Sequence, residues 1–302
     1  MTENRTAVML MGYGTPQTPA DILPYYIDIR RGRPPTDQQL AELTARYEAI
    51  GGISPLAQRT EAQRRALQAA LDRLAKGTYH VTLGMKHAAP FIEESVDQLA
   101  AQGFRRVIGL VLAPHYSAFS VGQYLDRLTV AAREHGIAVT GIESWATEPA
   151  FVEFVAAEVR ATLATMPDET RVLFTAHSLP ERILQSDDPY PSQLHATAQC
   201  VASSLGLDNW GVAWQSAGRT PEPWLGPDVL IAIDEVAADG HTRGVLVSAV
   251  GFVADHLEVL YDLDIEASRR AAAHGLAFAR TACVNDDPAV MAALAARVVG
   301  AA

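Results

Sequence analysis

Gly244-Val245-Leu246-Val247-Ser248-Ala249-Val250 runs directly into Gly251-Phe252-Val253-Ala254-Asp255-His256-Leu257-Glu258-Val259-Leu260-Tyr261-Asp262-Leu263-Asp264-Ile265-Glu266. The first run is short, almost continuously apolar and rich in valine, which is the pattern of a strand covered on both faces. After a glycine break the pattern changes to helical period, predicting a helix over 255–274. A buried strand feeding an amphipathic helix is the unit from which parallel sheets are built.

That unit recurs along the chain. Apolar, β-rich runs stand at 7–11, 79–83, 107–112, 137–142, 171–175, 210–214, 244–250 and 277–283. Segments of helical period lie at 38–50, 61–76, 90–102, 121–135, 149–165, 193–205, 255–274 and 288–299. The alternation predicts an α/β fold of two Rossmann-like domains, each a four-stranded parallel sheet flanked by helices. The expected limits are an N-terminal domain over 1–147, a C-terminal domain over 148–286, and a last helix within 287–302 that packs back on the first domain. With 302 residues and 49% hydrophobic content, the chain has enough apolar surface for two cores.

The formal charge of −11 argues against a nucleic-acid binder, which must neutralise phosphates. An anionic ligand would have to be met by a local basic cluster. The two cysteines, Cys200 and Cys283, form neither a CxxC pair nor a disulfide framework, so both are read as small buried hydrophobes in a reducing cytoplasm. No run is long and apolar enough to span a membrane, and the start does not read as a signal peptide.

Polar, Gly- and Pro-containing patches follow the strands: Gly12-Tyr13-Gly14-Thr15-Pro16, Met85-Lys86-His87, Ala113-Pro114-His115-Tyr116-Ser117, Ala176-His177-Ser178-Leu179-Pro180, Gln215-Ser216-Ala217-Gly218-Arg219-Thr220, and the run from Gly251. Open parallel sheets bind ligands beyond the carboxyl ends of their strands, so these patches are expected to converge on an interdomain cleft.

Glu258, Asp262 and Glu266 fall four residues apart, on one face of an α-helix. Like charges at that spacing cost a few tenths of a kcal/mol per pair. A stripe rising over about 12 Å therefore makes most sense beside cations, a hydrated divalent metal above all; the competing reading is a solvated acidic face near a helix N-terminus. His177, just past the apolar run 171–175, suits a base or a metal ligand, against a structural histidine that caps the turn. There is no HExxH pair and no Gly-x-Ser-x-Gly elbow, which disfavours resident zinc and acyl transfer. Arg30-Arg31-Gly32-Arg33, with Arg46 on the next helix, offers guanidinium forks for carboxylates or phosphates, or else is a solvated charge run. Tyr13 is an aromatic group with a polar tip at the mouth of the first strand, or an ordinary packed tyrosine.

Taken together, Tyr13-Gly14-Thr15-Pro16, Ile29-Arg30-Arg31-Gly32-Arg33, Arg46-Tyr47-Glu48-Ala49-Ile50-Gly51-Gly52-Ile53-Ser54-Pro55-Leu56, Thr175-Ala176-His177-Ser178-Leu179-Pro180-Glu181, Asp188-Pro189-Tyr190-Pro191, Pro223-Trp224-Leu225-Gly226-Pro227-Asp228 and the run 251–266 give a sequence that resembles the ferrochelatase family, in its coproporphyrin branch typical of Gram-positive bacteria. The resemblance implies the class II chelatase fold with a porphyrin cleft between its domains. It implies Fe²⁺ insertion into coproporphyrin III, with iron and porphyrin as substrates and no permanently bound cofactor.

Carried over by position, the resemblance places His177 and Glu258 at the metallation centre, and Asp262 and Glu266 along an acidic line leading to it. It places Tyr13 on the opposite side of the macrocycle, Arg30, Arg46, Ser54 and Tyr124 on the propionates, Arg31 as an outer helper, and His87 at peripheral metal entry. Some relatives bind an iron-sulfur cluster through four cysteines; two in total exclude that here. A monomer is expected, with a downstream coprohaem decarboxylase as candidate partner. Alternatives are a protoporphyrin IX ferrochelatase, a chelatase for another metal and tetrapyrrole, and a non-catalytic tetrapyrrole carrier.

Overall fold

The computed structural model describes residues 5–218 and 220–302. Contacts divide the chain into two units: one takes the described residues of Met1–Ala113 with Ser120–Ser144 and Asn285–Ala302, the other Pro114–Phe119 and Trp145–Val284.

In the first unit β1 (Thr6–Gly12), β2 (Tyr79–Met85), β3 (Arg106–Val111) and β4 (Ala138–Ile142) form a parallel sheet in the order β2-β1-β3-β4. The second sheet, β5 (Thr170–His177), β6 (Trp210–Gln215), β7 (Gly244–Ser248) and β8 (Ala277–Arg280), repeats that order as β6-β5-β7-β8. Two four-stranded parallel sheets are therefore present, as the strand runs predict. Residues 7–11 and 245–247 are wholly buried, which is why both stretches read as continuous apolar runs.

The helices are α1 (Ile22–Ile29), α2 (Asp37–Ala49), α3 (Leu56–Leu74), α4 (Ile92–Ala101), α5 (Val121–Glu134), α6 (Pro149–Leu163), α7 (Tyr190–Leu205), α8 (Val229–Ala238), α9 (Ser268–Ala273) and α10 (Pro288–Gly300). Helices α1 and α8 are additional to the segments read from periodicity. In the first unit α10 packs on α3, and Gln63 of α3, fully buried, donates to the Asn285 carbonyl at 2.9 Å. Pro114–Phe119 is stitched into the second unit by hydrogen bonds from Ser117 Oγ and the Ala118 amide to Asp188, and by a 2.9 Å contact of His115 with Thr197. Burial pushes the His115 imidazole down to about 3, so it stays neutral.

Three expectations about local structure need correction. First, β5 continues through His177, because its carboxyl end pairs in register with β6 as far as Gln215. Second, β7 stops at Ser248 and β8 at Arg280, short of the predicted 250 and 283. The chain turns where Val250 donates to Ser248 O and Gly251 to Thr175 O. Third, the predicted α-helix 255–274 starts at Leu257-Glu258, runs as a π-helix over Val259–Ala267 and returns to α-helix in α9. A π-helix hydrogen-bonds i to i+5 and is rare outside functional sites.

Candidate active site

The two central strands of the second sheet, β5 and β7, are neighbours whose connections leave in opposite directions, which makes the gap beyond their carboxyl ends the topological switch point. His177 closes β5 there, and the segment that follows β7 carries Glu258. Gly251 joins the two: a β-carbon on it would lie 2.4 Å from the Ala176 β-carbon, so only glycine lets this segment rest against β5.

His177 Nε2 lies 3.7 Å from Glu258 Oε1, and His256 Nε2 lies 3.5 Å from Glu258 Oε2. Each imidazole therefore faces a different oxygen of one carboxylate. His177 Nδ1 contacts the Ser178 carbonyl at 2.5 Å, and His256 Nδ1 contacts the Ala254 carbonyl at 3.0 Å. A carbonyl only accepts, so each Nδ1 keeps its hydrogen, and the nitrogen that gains or loses a proton is the Nε2 aimed at Glu258. The Tyr190 hydroxyl donates to the His177 carbonyl at 3.0 Å, with its ring packed against Trp214.

Burial alone would push the His177 imidazole down, but the Glu258 carboxylate, the Ser178 carbonyl and Asp262 outweigh it and hold the ring above its ordinary value. Burial would raise Glu258, yet His177 and then His256 hold it well below the usual carboxylate range. Each partner thus favours the charged form of the other. Asp262, buried, accepts from Ser216 Oγ, and Ser216 sits in the left-handed region at φ 60°. Glu266 is half-buried two residues before the π-helix gives way to α9. Glu258 and Asp262 come together with His177, whereas the evenly spaced α-helical stripe does not form. Among the described residues no three His, Cys, Asp or Glu side chains are arranged to hold a metal ion. The two histidines flank a carboxylate instead of converging on one point.

In the first unit Tyr13 follows β1 and is 42% exposed, with its ring 4.5 Å from that of His87 and edge-on to Tyr25. Pairing of β1 with β2 sets Tyr13 and His87 side by side, since the His87 amide donates to the Tyr13 carbonyl. His87 Nδ1 contacts Asp28 at 2.6 Å, and burial, opposed by Asp28, holds its pKa below the ordinary value. Lys86 Nζ donates to Gln123 at 2.6 Å and lies over the Tyr124 ring; burial, with Arg127 and Arg31, pushes it down to about 8.

Arg30 and Arg33 each donate to the other's carbonyl, at 3.2 and 3.3 Å, sewing a turn in which Arg31 takes a left-handed φ of 56° and is exposed. Arg30 also lies over the Tyr26 ring. Arg46, in the last turn of α2, is half-buried. Ser54 and Tyr124 are each only 5% exposed, and Ser54 Oγ accepts from the Leu56 amide where α3 begins.

Sequence reasoning missed His256, Ser216, Lys86 and Tyr190. Residues two apart on a helix do not face each other, so the spacing of His256 from Glu258 carried no signal until the structure placed His256 ahead of the helix. Cys200 is exposed, contrary to expectation, and Cys283 is buried. Among the described residues no helix is long and apolar enough to cross a membrane.

The ferrochelatase family profile matches residues 5–302. A protein named coproporphyrin III ferrochelatase from Geobacillus kaustophilus is 42% identical over 305 residues, covering 99% of this chain and 96% of its own. The protein of the same name from Bacillus subtilis is 42% identical over 305 residues, covering 99% and 98%. One named ferrochelatase from Herpetosiphon aurantiacus is 45% identical over 302 residues, covering 98% and 99%. Among solved structures, the sirohydrochlorin chelatase SirB of Bacillus subtilis with Fe³⁺ aligns over 99% of this chain and 96% of its own, with a TM-score of 0.61 at 12% identity, which supports the shared fold alone. Motifs, paired sheets and near-full-length relatives agree, and the chain belongs to the ferrochelatase family.

Proposed function

We propose that this chelatase inserts Fe²⁺ into coproporphyrin III, replacing two pyrrole N–H protons to give coprohaem. The observation that carries the reading is the Glu258 carboxylate set between two imidazoles whose Nδ1 hydrogens are held by backbone carbonyls. In this reading His177 offers its Nε2 lone pair, to a pyrrole proton or to the incoming Fe²⁺. That nitrogen must first lose the proton that Glu258 stabilises, and the carboxylate takes it outward. Asp262 and Glu266 extend the path for protons and iron.

Insertion also needs the flat macrocycle bent so that nitrogen lone pairs turn outward, at a cost of about 1–5 kcal/mol offset by binding elsewhere on the substrate. Arg30, Arg31 and Arg46 supply cations for propionates, and Tyr13 meets the ring. Ser54 and Tyr124 are assigned to the same propionates, Ser54 from the start of α3 and Tyr124 from beneath Lys86. His87 is assigned to peripheral metal entry through its Nε2. Coproporphyrin III carries four propionates and protoporphyrin IX two, so this basic set fits the more anionic substrate. The relatives named for coproporphyrin III support the same choice. The reading further has the enzyme acting in the cytoplasm as a monomer, without a resident cofactor, and passing coprohaem to a decarboxylase.

Anaerobic turnover with Fe²⁺, followed through loss of the free-base porphyrin bands, tests it. Catalytic metallation of coproporphyrin III in preference to protoporphyrin IX is expected. His177→Ala should lower turnover by about 10²–10⁴-fold while porphyrin binding persists. Preference for protoporphyrin overturns the substrate assignment, and near-normal turnover of His177→Ala overturns the site.

A further inference from the structure

Glu258 stands on a segment whose geometry is uncommon and locally unfavourable, so something outside it must hold it. The π-helix begins immediately after Glu258, and the residues before Leu257 are non-helical. One i to i+4 bond, from the Leu260 amide to the His256 carbonyl at 2.9 Å, spans Glu258, and beyond it the wider π-helical pattern takes over.

One side chain grips both flanks of this segment. Arg280, the last residue of β8, directs Nε and Nη2 at the two oxygens of Asp264, at 2.6 and 3.1 Å. Asp264 lies inside the π-helix, six residues after Glu258. The same Nη2 forms an ion pair at 3.3 Å with Asp255, three residues before Glu258. Nη1 donates to the Thr281 carbonyl at 3.1 Å, so the guanidinium is fixed at its base as well. That base is itself anchored to the sheet: Thr281 donates its amide to Val247 O at 3.0 Å, and its hydroxyl meets Ser248 Oγ at 3.1 Å.

The side chains of Arg280 and Asp255 are 17% and 15% exposed, well below the surface pairs that contribute little. The Cys283 thiol lies beside Asp255, where burial and then that carboxylate push it up to about 12, so it stays protonated and donates to Asp255.

We propose that Arg280 is a positioning residue for metallation, a fork on a rigid strand that locks the Glu258 segment in its π-helical register. This rests on the assignment of Glu258 and His177 made above. A planar guanidinium matches a carboxylate in few orientations. Sliding the helix by one residue would rotate Asp264 away from Arg280 and break the bidentate pair. The clamp therefore selects one register, and that register holds Glu258 between His177 and His256.

Arg280→Met keeps the length of the stem and removes the fork; Arg280→Lys keeps the charge alone. Arg280→Met should lower kcat by about 10- to 100-fold, with KM for coproporphyrin III within about twofold. Amide exchange across Val259–Ala267 should quicken by about tenfold or more while the remainder of both units is unchanged. Arg280→Lys should recover only part of kcat, because a point charge cannot hold both oxygens.

The inference is overturned if Arg280→Met retains wild-type kcat, or if its activity loss merely tracks the folded fraction and exchange quickens uniformly. If Arg280→Met does not fold, Asp264→Asn, at the more exposed end of the clamp, is subject to the same kcat, KM and exchange criteria. His177→Ala, assayed alongside, separates the two levels. An inactive His177→Ala beside a fully active Arg280→Met sinks the clamp alone, whereas an active His177→Ala sinks the site on which the clamp depends.

Discussion

A carboxylate between two imidazoles gives each residue of the group a property it would lack alone. His177 carries its labile proton on Nε2 because the Ser178 carbonyl holds the other nitrogen, and its affinity for that proton is raised by Glu258. The sign follows directly. Below its raised pKa the ring is imidazolium and cannot offer a lone pair, so turnover should rise with pH through that value. Glu258→Gln removes the negative charge that holds the proton, so the pKa should fall. Titration of the His177 ring signals by NMR in the free protein reads this directly, even where the variant is inactive. A His177 midpoint unchanged by Glu258→Gln would show that the carboxylate does not govern the ring.

At the scale of elements, the close approach of the β7 connection to β5 is what brings a residue from each strand's end to one place. Gly251→Ala would drive a methyl group into Ala176, contacting backbone as well as side chain. The expected outcome is a loss of activity of about 10²-fold, with the melting temperature lowered. Wild-type kinetics in that variant would show that the segment has slack. The central strands β1, β3, β5 and β7 were legible because they bury most of their residues, leaving near-continuous apolar runs, and His177 and Glu258 were legible as residues beyond the ends of such runs. The π-helix was not. Its acidic residues keep the i, i+4 spacing of an ordinary helix, and the register is set by Arg280, which lies 14 residues beyond Glu266 in the chain. Nor was the seat of Tyr124 visible, since the half-buried lysine above it comes from a different strand-to-helix connection.

Across the whole molecule, each unit is a four-stranded parallel sheet with the same strand order, yet the units are not simple successive halves of the chain. Leu294, fully buried on α10, belongs to a helix that packs on α3, more than 200 residues earlier. Leu294→Ala should cost about 2–5 kcal/mol, seen as a lower denaturant midpoint with its slope retained. An unmoved midpoint would mean that α10 adds nothing to the first unit.

That arrangement has a consequence for how the protein is made. The unit that contains β1 to β4 also requires Asn285–Ala302, whereas the other is complete by Val284. Synthesis from the N- to the C-terminal side therefore finishes the second unit while α3 still lacks the cover of α10. The part begun first is closed last, and a nascent chain paused before α10 would pair one finished unit with an open one, the kind of surface that chaperones hold.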